Sequence, residues 1–139
     1  MRRPLLLLSA AAALIAAVPH LAGAQSAPKP ALYTSDQATA GAAVYSQACA
    51  ACHGAQLEGV AAPALKGSNF GEMATAQGLT VDALLDVIAN TMPQSDPGSL
   101  KPDDYAAVTA YILQQNGYPA GSTALAKGAA GLKDAKVTP

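Results

Sequence analysis

The feature that most limits what this chain can become is Cys49-Ala50-Ala51-Cys52-His53, which holds both cysteines of the chain and one of its two histidines. On a helical turn the side chains at positions 49, 52 and 53 project to one face, so two thiols and one imidazole converge on a single partner. Four arrangements compete for such a cluster: a thioredoxin-like redox pair, a zinc half-site, a simple disulfide, or haem held by two thioethers with the histidine on its iron. A thioredoxin-like pair wants a preceding strand and a parallel sheet, whereas an Ala-rich segment of helical period precedes Cys49 and no strand-period run follows. A structural zinc site needs about four protein ligands. Only Cys49, Cys52 and His53 are available, because His20 lies in a leader. A disulfide alone gives His53 no role. The motif therefore reads as one covalently attached haem.

The leader is Arg2-Arg3, an apolar run from Leu5 to Val18, and the small triplet Ala22-Gly23-Ala24. This is the pattern of a secretory signal peptide over residues 1–24. The run is about 14 residues, against the roughly 20 of a membrane helix, so no stable span is expected after cleavage. Export to the periplasm agrees with thioether attachment outside the cytoplasm. The chain after residue 24 carries six lysines against nine acids, a formal charge of −3, and over residues 25–118 the balance sharpens to −5. Nucleic acid is not an expected partner of such a surface. With no Trp and only Phe70 as phenylalanine, the protein core would be thin. A buried macrocycle would supply the missing apolar volume, so the chain without haem is expected to fold poorly.

The periodicities predict an all-α domain over residues 36–118, between a flexible lead-in at 25–35 and a flexible Ala/Gly/Lys-rich tail at 119–139. Thr34 and Gln37 offer a capping box for a helix running to about Cys52, with Gly41 one turn before Tyr45. Five glycines and Pro63 between Gly54 and Gly78 predict a mostly irregular, wrapping segment. Thr80 is placed to cap a middle helix ending near Asn90, with Val81, Leu84, Leu85 and Ile88 on one face. Pro102 opens a last helix that stops at Gly117 and sets Tyr105, Val108, Tyr111 and Ile112 on its apolar side. Tyr111 is then in position to meet Gly41 and Tyr45.

Gly41-Ala-Ala-Val-Tyr45, the Cys49 to Gly54 motif, Pro63-Ala-Leu65-Lys-Gly67, Thr91-Met92-Pro93 and the Tyr105 to Gly117 helix together resemble a class I cytochrome c. Thr91-Met-Pro followed by Pro97-Gly-Ser-Leu100 and Asn116-Gly-Tyr-Pro119 is similar to cytochromes associated with periplasmic dehydrogenases. The resemblance implies the cytochrome c fold: N- and C-terminal helices packed crosswise, a middle helix, and loops that wrap haem. It also implies one haem c, attached at Cys49 and Cys52.

His53 is the only histidine after the leader, so two-histidine ligation is excluded within the chain, and the residues leave Met92, Met73, a lysine amine or an open site as the sixth position. In the family the methionine before such a proline is the distal ligand, which points to Met92, while Met73 reads as gap-filling core. The family's matching proline accepts the second ring proton of the ligating histidine, a role that falls to Pro63. Leu65, Phe70, Leu84, Leu85 and Ile88 are the candidates for packing on haem.

Three kinds of function compete: an electron carrier or electron-transfer subunit, a haem enzyme, and a small-ligand sensor. Imidazole and thioether together close the iron and favour one-electron cycling, whereas an enzyme or sensor needs an open distal face. The expectation is a periplasmic carrier, not an enzyme, moving electrons from a dehydrogenase or other donor to a respiratory acceptor such as a terminal oxidase or another cytochrome.

Overall fold

A computed structural model describes residues 28–139; the leader, and the first residues of the lead-in, lie outside them. The described residues form five helices and no strand: α1 (Ser35–Ala48), α2 (Ala50–His53), α3 (Gly67–Ala76), α4 (Val81–Thr91) and α5 (Pro102–Gln115). The caps follow from local chemistry. The Thr34 hydroxyl accepts from Gln37 N–H at 3.2 Å, and Thr80 does the same for Ala83 at 3.1 Å. Pro102, which has no N–H to leave unpaired, opens α5 with Asp103 and Asp104 in its first, positive turn. Among the described residues no helix is long and apolar enough to cross a membrane.

The first and last helices cross on one another, as expected. Gly41 allows the crossing: a Cβ there would fall into the Ala107 carbonyl and lie 2.9 Å from Val108 N. One turn on, the rings of Tyr45 and Tyr111 meet with centroids 5.4 Å apart and planes tilted by 53°, avoiding the face-to-face stacking that like-charged ring faces disfavour. The resulting core takes in Tyr45, Phe70, Val81, Leu85, Tyr105, Val108, Ile112 and Leu113.

Three sequence expectations are corrected. The irregular segment at 54–78 contains α3, whose Phe70 and Ala74 are buried. Two of its glycines, Gly67 and Gly71, belong to that helix, and Gly71 also saves space: a Cβ there would lie 2.7 Å from Pro139 Cα. The first helix does not run on to Cys52 but breaks at Cys49 (φ −123°, ψ −36°) before the short α2.

The largest correction concerns the lead-in and the tail, which pack on the domain instead of hanging free. Tyr33, Leu125, Leu132 and Val137 are each 2% exposed or less. The tail also satisfies α4, whose first N–H groups have no partner within the helix. Val81 N–H donates to Ala135 O at 2.9 Å and Asp82 N–H to Leu132 O at 3.1 Å. The Gln37 side chain, free to complete a capping box, instead grips the tail from both sides, donating to Leu125 O at 2.7 Å and accepting from Leu125 N–H at 2.8 Å. Lys127 reaches Asp86 at 2.8 Å, so one carboxylate of the acidic surface is met by a cation of the tail, although an exposed pair of this kind adds little stability. Leu132→Ala is therefore expected to destabilise the protein by about 2 to 5 kcal/mol in denaturant titrations, as for other buried leucines; a change within about 0.5 kcal/mol, typical of surface sites, would show the tail to be free.

Candidate haem-binding site

The site is built on the break after α1. Because the chain turns at Cys49 and re-enters a single helical turn, Cys49, Cys52 and His53 sit at the end of the α1–α5 crossing. Cys49 is half-buried against the core and Cys52 is exposed; the two sulfurs are not joined in a disulfide. Tyr45 anchors the exit from this turn: its hydroxyl donates to Gly54 O at 2.7 Å. Burial above all, with Cys49, Tyr111 and Glu58 nearby, pushes the Tyr45 hydroxyl up to about 12. It therefore keeps its proton, and the bond, throughout the neutral range.

Beyond Gly54 the backbone wraps back over α2. The Cys52 carbonyl accepts from the N–H groups of Val60, Ala61 and Ala62 at 3.1, 3.0 and 3.0 Å, and the His53 carbonyl from Gly59 N–H at 2.8 Å. Leu57, with φ +62°, is fully buried at the centre of this wrap. Glu58 folds over Gly54, its carboxylate held below the usual range by backbone N–H groups, its own first and then that of Gln56. Asn116, at the end of α5, ties the far side of the loop by donating to Leu65 O at 2.8 Å and accepting from Gly67 N–H at 3.3 Å.

This wrap delivers Pro63 O to 2.8 Å from His53 Nδ1. A carbonyl can only accept, so Nδ1 carries a proton, which in the neutral ring leaves Nε2 its lone pair. An imidazole oriented through its Nδ1 beside two unlinked thiols is the donor set that thioether-bound haem requires, and the residues fit that group. Of the candidate packing residues, Phe70, Leu84, Leu85 and Ile88 belong to the buried core, with Leu65 and Met92 half-buried at its margin alongside Cys49 and Met73. Leu85 also lines a separate cleft of about 510 Å³ with Ala89, Leu100, Tyr105 and Ala126, in which Cys49, Cys52, His53 and Met92 take no part.

Met92 caps α4, its N–H donating to Ile88 O at 3.0 Å, and the peptide joining it to Pro93 is cis. Its carbonyl accepts from the Tyr105 hydroxyl at 2.7 Å. That contact and the Asn116 clamp are absent from the sequence reading. Both end on main-chain groups, which leave no mark in residue identity.

No curated protein matches the chain. Among solved structures, a chain in the crystal structure of the sulfane dehydrogenase SoxCD from Paracoccus pantotrophus is similar to it in fold, with a TM-score of 0.56 at 21% identity. The match covers 83% of this chain and 66% of that one. The family described as cytochrome c oxidase, cbb3-type, subunit III matches residues 36–112, more than half of the sequence and the whole stretch from α1 through most of α5. The chain belongs to this family of c-type cytochromes, whose business is electron transfer.

Proposed function

We propose that the protein is a periplasmic monohaem cytochrome, exported by residues 1–24, that passes single electrons from a dehydrogenase or another donor to a respiratory acceptor. Cys49 and Cys52 would hold one haem c covalently, with His53 and Met92 as the protein ligands of its iron. The observation that carries this reading is the His53 Nδ1 to Pro63 O contact of 2.8 Å, which frees Nε2 for iron beside two unpaired thiols. The bound group supplies a one-electron iron couple. The chain's residues would do the rest: Pro63 orients the imidazole, His53 and Met92 would both hold the iron and so exclude water and small ligands, and the 54–66 wrap would keep the attachment turn rigid so that little rearranges between oxidation states. No residue is required to move a proton. A dehydrogenase as donor agrees with the fold's likeness to a chain of SoxCD.

Replacing Met92 with Ala tests the assignment. The weak sulfur-to-iron absorption at the red edge of the ferric spectrum should vanish and the reduction potential should fall, because the thioether favours ferrous iron. An unchanged spectrum and potential would exclude Met92. Rapid carbon monoxide binding by the unaltered reduced protein would favour an open-site enzyme or sensor instead.

A further inference from the structure

The loop from Met92 to Leu100 joins α4 to α5 across the surface, and residues 94–99 are all exposed. Two backbone bonds, Asp96 N–H to Pro93 O at 3.0 Å and Ser99 N–H to Asp96 O at 3.3 Å, lie within it and bind it to nothing else. Its two ends meet at one atom. The Tyr105 hydroxyl donates to Met92 O at 2.7 Å and accepts from Leu100 N–H at 3.3 Å, on a ring that is only 4% exposed. A phenol can do both at once, since it carries one proton and two lone pairs. Tyr105 itself is fixed by α5, where its carbonyl accepts from the Thr109 hydroxyl at 2.8 Å.

We infer that Tyr105 is a positioning residue that latches the ligand loop: its hydroxyl holds the Met92 main chain so that the thioether stays at iron. This rests on the proposal that Met92 is the sixth ligand. Without the hydroxyl the Met92 carbonyl and the Leu100 N–H lose a common anchor, while the ring of a phenylalanine would fill the same space. The loop then lifts more often, and each opening exposes the iron to outside ligands.

The test compares three variants of the haem-loaded protein. In Tyr105→Phe, carbon monoxide should bind the ferrous form roughly tenfold faster than in the unaltered protein, the scale set by losing one hydrogen bond or a little more from the closed state. The sulfur-to-iron band should also weaken at a lower temperature. Tyr118→Phe is the control, because that hydroxyl likewise spans two main-chain groups, donating to Lys136 O at 2.7 Å and accepting from Thr138 N–H at 3.1 Å, but on the tail. It should reduce overall stability to a similar degree and leave carbon monoxide binding unchanged. Met92→Ala separates the two claims. If Met92→Ala binds carbon monoxide fast and Tyr105→Phe matches the unaltered protein, the latch is wrong and the ligand stands; if Met92→Ala is as slow as the unaltered protein, the ligand assignment itself is wrong. Equal acceleration in Tyr105→Phe and Tyr118→Phe would reduce Tyr105 to general stability and overturn the latch. Should Tyr105→Phe load no haem, hydrogen exchange on the unaltered holoprotein decides: the Leu100 amide should exchange no faster than the thioether leaves iron, and faster exchange would overturn the inference.

Discussion

Alanine at position 41 should destabilise the haem-loaded protein by about 2 kcal/mol or more, with a matching fall in its denaturation midpoint and in the yield of loaded protein. In an exposed helix the same change would help, by up to about 1 kcal/mol, because glycine has the greater backbone freedom to lose. Here the added methyl meets main chain. Its position falls within the Ala107 carbonyl and 2.9 Å from Val108 N, atoms that cannot rotate aside as a long side chain would. Interiors are packed near crystal density, so α1 and α5 must move apart, and the cost spreads beyond the contact. Tyr45 lies one turn further along α1 with its ring on Tyr111 and its hydroxyl on Gly54 O. Separation of the helices would therefore loosen the exit of the attachment turn as well as the core. A Gly41→Ala protein as stable as the parent would show that the helices part without penalty and that the crossing does not depend on glycine.

The same residues show why some of this architecture was legible in the sequence and some was not. Helices α1, α4 and α5 announce themselves through short-range chemistry: Thr34 and Thr80 as caps, Pro102 at a first turn, apolar residues three and four apart. The attachment motif is shorter still, five residues whose meaning depends on nothing distant. What escaped is what depends on partners far along the chain. Leu125, Leu132 and Val137 are spaced by seven and five residues in an Ala/Gly/Lys-rich stretch, matching neither helix nor strand, yet each is buried against residues some tens of positions away. Composition correctly describes a segment poor in core formers, but it cannot register that α4 lacks acceptors for its first N–H groups and that the tail supplies them. Helix α3 was hidden by its glycines, although Phe70, Met73 and Ala74 carry the helical spacing that could have revealed it. In the site, Pro63 was legible because the resemblance assigns it a role, whereas Tyr105 reads as one more apolar residue of α5 until its hydroxyl is seen on the Met92 carbonyl.

Serine at both Cys49 and Cys52 should abolish covalent haem entirely, the largest effect expected of any substitution in this chain. Exchange of sulfur for oxygen changes side-chain volume little. Cys52 is exposed and Cys49 only half-buried, and neither is joined to the other, so the polypeptide itself loses no cross-link and almost no packing. Whatever changes is then the loss of the thioethers. The unaltered protein should keep its haem through denaturing electrophoresis and show a mass one haem above that of the processed chain; the double variant should release all of it into acidified organic solvent. Stability should fall too, since attachment at two points would hold haem at high effective concentration beside His53, and its packing and iron ligation are gained only in the folded state. The single variants divide the effect. Each retains one thioether, so each should keep haem on a denaturing gel while unfolding earlier than the parent. Cys49→Ser should be the more severe, because the thioether it removes would lie against the core at the break in α1, whereas that of Cys52 would face solvent. Haem retained by the double variant under denaturing conditions would exclude attachment at these cysteines, and a mass corresponding to two haems would contradict a single site.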